Sequence, residues 1–292
     1  MRASPLIGVA ELDTALSGAD PAHRPAVLDV RWDLARGPRP DLYEAAHIPG
    51  AVFVDLDTAL AAPAGDGRRG RHPLPDSDTF VGAMREAGVD SGRAVVLYDD
   101  AGGTVAARAW WLLRDHGHDD VAVLDGGMPA WVGAGLATET GPRVAPAAGD
   151  FSGTPGSMAT LDADQAAALA GDPGAVLLDA RQSERYRGDS EPVDPRAGHI
   201  PGARHRSTRD NVDAGGVFLD PATLAQTFAS LGATPQARVG VYCGSGVTAA
   251  HEILALELAG VAAELYPGSW SEWCSDPERP IQTGDHTGPV TR

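Results

Sequence analysis

Apolar residues along this chain fall into short runs, separated by polar and glycine-rich turns. Val27-Leu28-Asp29-Val30-Arg31, Val95-Val96-Leu97-Tyr98, Val176-Leu177-Leu178-Asp179 and Val239-Gly240-Val241-Tyr242 are each long enough for one buried strand. Between them, residues 79–87, 222–231 and 249–258 read as helices, the last closed by Gly260. Near-continuous apolar strands alternating with helices predict an α/β fold: a doubly wound, mostly parallel sheet with helices on both faces. In such sheets binding sites lie at the carboxyl ends of strands.

The pattern is written twice. Leu28-Asp29-Val30-Arg31 followed by His47-Ile48-Pro49-Gly50 returns as Leu178-Asp179-Ala180-Arg181 followed by His199-Ile200-Pro201-Gly202. The separations are 150 positions (178 − 28) and 152 positions (199 − 47). Val95 to Tyr98 with Asp99-Asp100-Ala101-Gly102-Gly103-Thr104 corresponds to Val239 to Tyr242 with Cys243-Gly244-Ser245-Gly246-Val247-Thr248. Asp125-Gly126-Gly127-Met128-Pro129-Ala130-Trp131 corresponds to Pro267-Gly268-Ser269-Trp270-Ser271-Glu272-Trp273. Landmarks in one order at this period mean two domains of one fold rather than a solenoid. The expected boundaries are 1–145 for a first, catalytically inactive domain and 158–292 for a catalytic one. A Gly-, Pro- and Ala-rich stretch, 141–158, supplies the linker at 146–157.

Composition removes several function classes. The formal charge of −17 disfavours nucleic acid and anionic membrane as partners. Every basic residue is Arg, so a Schiff-base lysine, a Walker-type lysine and pyridoxal phosphate chemistry are excluded, and no cofactor is expected. Glu11 and Asp13 interrupt the apolar positions of residues 1–19, so neither a signal peptide nor a membrane span is expected. Two cysteines, Cys243 and Cys274, argue against a disulfide scaffold and for a reducing, cytoplasmic setting. No Cys/His cluster has zinc spacing, and no metal is expected.

The chemistry concentrates at Cys243. A strand turning tightly into a helix aims several backbone N–H groups and the positive end of the helix dipole at one point. Gly244 and Gly246 let the backbone curl, and a thiolate beside that point is favoured over a thiol. Such a bowl suits a thiolate and an anionic atom attached to it. The first half has Asp99 at the corresponding position, so it keeps the architecture without the nucleophile.

On these residues the chain resembles the tandem-domain sulfurtransferases of the rhodanese family, over nearly its whole length. The two His-Ile-Pro-Gly boxes, the Cys243 loop and the Gly-Ser-Trp-Ser-Glu-Trp box carry the resemblance. It implies that Cys243 takes a sulfane sulfur as a persulfide and passes it to an acceptor: a thiol, a thioredoxin-like protein or cyanide. Donors in this family are small molecules. The loop Cys243-Gly244-Ser245-Gly246-Val247-Thr248 has the form typical of the mercaptopyruvate-using members, whereas thiosulfate-using members place Arg and Lys after the cysteine. The resemblance further implies that Gly244, Gly246, Val247 and Thr248 line the donor, that Arg185 binds its carboxylate, and that Arg196 is the candidate second arginine. A Ser-His-Asp relay maps to Ser245, His72 and Asp55. Pro267 departs from the Asp common in relatives.

Structural readings stand beside these. His47 and His199 recur in both halves and read as turn-holding side chains. Arg181 has a twin in Arg31, which favours a structural ion pair, whereas Arg185 has none. Asp55 reads equally as a turn-stabilising carboxylate. Trp270 and Trp273 read as core, and Cys274 as an exposed free thiol. The competing functions are thiosulfate:cyanide sulfurtransfer, a Cys-dependent phosphatase or arsenate reductase, and a regulatory binding module. The phosphatase clamp, Cys-x5-Arg, is missing, because the sixth residue after Cys243 is Ala249.

Overall fold

The computed structural model describes residues 4–18, 20, 24–142, 144 and 146–285. Two compact units emerge, and the chain passes between them more than once. Unit 1 holds residues 1–62, 74–158 and 214–218; unit 2 holds 63–73, 159–213 and 219–292.

Unit 1 runs β1 (Leu6–Ile7), α1 (Val9–Ser17), β2 (Ala26–Asp29), the hairpin β3 (Trp32–Asp33) and β4 (Gly37–Pro38), α2 (Pro40–Ala45) and β5 (Val52–Phe53). A π-helical turn (Leu56–Leu60), α3 (Ser77–Glu86), β6 (Val95–Tyr98), α4 (Ala106–Asp115), β7 (Val121–Leu124) and α5 (Gly127–Gly133) complete it. Its sheet has the order β1-β7-β6-β2-β5, all neighbours parallel. Every residue of β2, β6 and β7 is buried, which explains why these strands read as continuous apolar runs rather than alternating ones.

Unit 2 runs α6 (Ala163–Gly171), β8 (Ala175–Asp179), α7 (Ser183–Arg187), β9 (Arg204–His205), a 3-10 turn (Thr208–Asn211) and α8 (Pro221–Ser230). It continues through β10 (Arg238–Tyr242), α9 (Val247–Leu258), β11 (Glu264–Leu265) and α10 (Ser269–Trp273). The sheet order is β11-β10-β8-β9, again parallel. Local chemistry starts the helices: Asp162 and Gln165 form a capping box on α6, and Asp220 caps α8. Leu161, Leu169, Leu177, Tyr242, Trp270 and Trp273 fuse into one core.

The sequence duplication is repeated in a set of shared hydrogen bonds. Arg31 grips Asp29 and the Ala46 carbonyl, as Arg181 grips Asp179 and the Gly198 carbonyl. His47 Nδ1 meets the Tyr43 carbonyl at 2.7 Å, and His199 Nδ1 the Tyr186 carbonyl at 2.8 Å. Each ring stacks on its tyrosine at 3.9 and 3.8 Å respectively. These histidines and arginines hold turns.

The expected linker is corrected. Residues 146–157 belong to unit 1 and lie along it: Gly149 N–H donates to the Arg85 carbonyl, Phe151 N–H to the Val89 carbonyl and Ser157 N–H to the Asp115 carbonyl. Phe151 is only 1% exposed, so this stretch is anchored by a core side chain that its Gly- and Pro-rich composition hides. Residues 143 and 145 of the surrounding 141–158 stretch lie outside the described residues. Nor do the two sequence halves match the two units, because 63–73 folds with unit 2 and 214–218 with unit 1. No helix among the described residues is long and apolar enough to cross a membrane.

Candidate active site

β10 delivers Cys243 to the carboxyl edge of the unit 2 sheet, and α9 begins four residues later. The turn closes at Gly246, whose φ of 78° is left-handed; a Cβ there would lie 2.5 Å from the Pro267 carbonyl oxygen. The Gly246 N–H points back to Cys243 Sγ at 3.1 Å, and Cys243 is 1% exposed. A sulfur at this place sits on the amino end of a helix of 12 residues.

The Gly268 to Trp273 box braces the loop from below. Trp270 N–H donates to the Cys243 carbonyl and Ser271 N–H to the Gly244 carbonyl, both at 2.9 Å. Ser269 has φ 53°, a left-handed backbone for a residue with a Cβ. The same residue's hydroxyl accepts the Cys243 N–H at 3.1 Å and donates to the Tyr266 carbonyl at 2.9 Å. The strain therefore accompanies a direct grip on the cysteine's own amide. Ser269 is a site residue the sequence reading passed over, although its box was recognised.

Ser245 and His72 come together within unit 2, the Ser245 hydroxyl lying 2.8 Å from His72 Nδ1. Asp55 does not join them within that unit. It belongs to unit 1, where its carboxylate accepts the Asp57 and Thr58 N–H groups and caps the π-helical turn. Val247 opens α9, buried, and Thr248 follows it half-buried.

Two guanidinium groups lie over Gly244. A Cβ at that position would meet Arg71 Nη2 at 3.0 Å and Arg185 Nη1 at 3.3 Å. Arg185 also binds Glu191 at 2.7 Å and Asp194 at 3.0 Å, and Arg71 binds the other oxygen of Asp194. The loop has no cation in its own sequence, but the fold brings two to it. Arg196 is not one of them. Its guanidinium is engaged by the carbonyls of Cys274, Asp276, Pro277 and Arg279, so it ties down the 274–279 turn. Arg71 was missed because residues 67–71, Gly-Arg-Arg-Gly-Arg, carry no periodic signal.

Cys274 also corrects its expectation. It is 2% exposed within the unit 2 core, and burial, with Asp194 adding, pushes its thiol up to about 11. A protonated, enclosed thiol is a poor nucleophile.

A cysteine cradled between a parallel strand and a helix, duplicated in form but not in chemistry, is the site of a known class. The rhodanese-like domain profile matches residues 9–134 and 162–276, and the chain belongs to that family. Among its relatives, a protein of Pseudomonas aeruginosa named as a probable 3-mercaptopyruvate sulfurtransferase is 48% identical over 265 residues, covering 89% of this chain and 92% of its own. A Mycobacterium tuberculosis protein, SseB, provisionally named as a thiosulfate sulfurtransferase, is 44% identical over 288 residues, covering 97% and 98%. The crystal structure of SseA from Escherichia coli, described under the fold of 3-mercaptopyruvate sulfotransferases, has a TM-score of 0.80 at 31% identity, covering 91% of this chain and 99% of that one.

Proposed function

We propose that this chain is a sulfurtransferase that takes sulfur from 3-mercaptopyruvate onto Cys243 and passes it to a thiol, a thioredoxin-like protein or cyanide in a reducing, cytoplasmic setting. The observation that carries the donor choice is the 2.8 Å contact of Ser245 with His72, in the loop that follows Cys243. The Cys243 thiolate attacks the donor sulfur, and the carbon–sulfur bond breaks with its electron pair leaving on carbon as pyruvate enolate. A proton passed from Ser245, replenished through His72, neutralises that charge and releases pyruvate.

The terminal sulfur of the persulfide carries negative charge, which the Gly246 N–H and the start of α9 favour. An acceptor thiolate then attacks that sulfur, the sulfur–sulfur bond breaks, and Cys243 returns as thiolate. Gly244, Gly246, Val247 and Thr248 form the wall of the bowl, and the planar fork of Arg185 suits a carboxylate. Unit 1 is a partner without chemistry of its own.

Thiosulfate is the second reading, favoured by the two guanidinium groups at Gly244. Steady-state rates with both donors in one buffer decide between them. The expected kcat/KM for mercaptopyruvate exceeds that for thiosulfate by at least about tenfold, or ~1.4 kcal/mol. A native preference for thiosulfate replaces the first reading by the second.

A further inference from the structure

Above Gly244 lies a chain of alternating charges. Arg181 pairs with Asp179 at 2.6 Å and with Glu191 at 3.3 Å; Glu191 pairs with Arg185; Asp194 then takes Arg185 on one oxygen and Arg71 on the other. Three guanidinium groups thus meet three carboxylates, and the cluster sums to zero. Asp194 is the member between the two arginines that reach the loop, and its side chain is only 4% exposed. Burial pushes its pKa up, against the pull of Arg71. Arg71 places its Nη2 at the loop, 3.0 Å from where a Gly244 Cβ would stand.

We propose that Arg71 is a second donor-orienting residue and that Asp194, by joining it to Arg185 and cancelling one of their two charges, makes the site select a singly charged donor over a dianion. The inference rests on the mercaptopyruvate reading given above and names what enforces it. The argument is one of charge. Both arginines attract any anion, but the Asp194 carboxylate repels a dianion about twice as strongly as a monoanion at the same distance. Its neighbours are already paired, so no spare cation compensates. Water is largely excluded around Asp194, so screening weakens the effect less than on a surface.

The test measures kcat/KM for thiosulfate and mercaptopyruvate in two variants of the full chain, with thermal unfolding as the check on folding. Asp194→Asn is expected to raise the thiosulfate-to-mercaptopyruvate ratio by about tenfold. Arg71→Gln is expected to lower the same ratio by about threefold or more, chiefly through the KM for thiosulfate. A ratio in Asp194→Asn within about twofold of the native value, or a shift of the same sign in both variants, overturns the proposal whatever happens to the absolute rates. Should Asp194→Asn not fold, Arg71→Gln decides alone: a lowered ratio supports the proposal, and an unchanged or raised one overturns it. A native enzyme that prefers thiosulfate ends the mercaptopyruvate reading, yet the direction of these shifts still judges the role of Asp194.

Discussion

The loops after β6 and β10 are two answers to one backbone. In each, the last strand residue is followed by a side chain that accepts backbone N–H from the turn leading into a helix. In each, that residue's carbonyl accepts an N–H from the later box: Met128 onto Asp99 at 2.8 Å, Trp270 onto Cys243 at 2.9 Å. Gly127 at φ 56° and Ser269 at φ 53° take the same unusual turn beneath them. The contents differ. Asp99 fills its own cradle, its carboxylate accepting from Ala101, Gly103, Val105 and Ala106 at 2.7–3.0 Å. Cys243 offers a thiol sulfur to the Gly246 N–H at 3.1 Å. An anion cradle is therefore a property of the strand, glycine turn and helix, and the side chain decides whether it is a structural plug or a reactive centre.

The most severe way to break the comparison is to take the sulfur away. Cys243→Ser keeps the cradle but loses the polarisable nucleophile, and turnover is expected to fall on the order of a thousandfold or more. Intact-mass spectra after incubation with donor should show one added sulfur atom in the native chain and in Cys274→Ser, and none in Cys243→Ser. Sulfur found on Cys274 would reverse the assignment.

Emptying the other cradle should cost stability rather than rate. Asp99→Ala leaves the start of α4 without four charge-assisted hydrogen bonds. A loss of about 3 kcal/mol in denaturant unfolding is expected, while turnover stays within about threefold. A collapse of activity in a folded variant would reveal chemistry in unit 1.

The smallest effect contrasts the helices behind the two loops. α4 buries Arg108 on the Leu60 carbonyl, whereas α9 buries Glu252 on the Asn211 amide at 2.6 Å. Burial pushes the Glu252 carboxyl from its ordinary 4.5 up to about 8, partly opposed by Asn211 and Arg206. The folded state then holds a proton that the unfolded chain has released, so stability falls as pH rises from about 4.5 to about 8 and levels off above. Glu252→Gln should lack this part of the slope and gain on the native protein most at the alkaline end. Melting temperatures across that range for both proteins check it; parallel curves would mean Glu252 is already ionised in the fold.

Much of this was legible in the residues, because burial on both faces makes the central strands read as apolar runs. The run at 239–242 became Arg238–Tyr242, and the helices at 222–231 and 249–258 became Pro221–Ser230 and Val247–Leu258. Edge strands such as Val52–Phe53 and Glu264–Leu265 are two residues long, too short for any period to register. The site was legible where function sits in a local motif, as at Cys243 and Ser245. It was illegible where a side chain arrives from far along the chain: Arg71 reaches Asp194 across 123 positions, and Arg196 turns to the carbonyls near Cys274 across 78. Cys274 read as exposed because nothing local records the core that closes over it.

The exchange of segments between the units decides how the chain can be divided. The strip carrying Arg71 and His72 lies in the first half of the sequence but folds with unit 2. The strip at 214–218 made the reverse commitment, with Phe218 N–H bonded to Asp125 in unit 1. A single cut in the chain therefore cannot separate the units: any one break leaves a piece of one attached to the other.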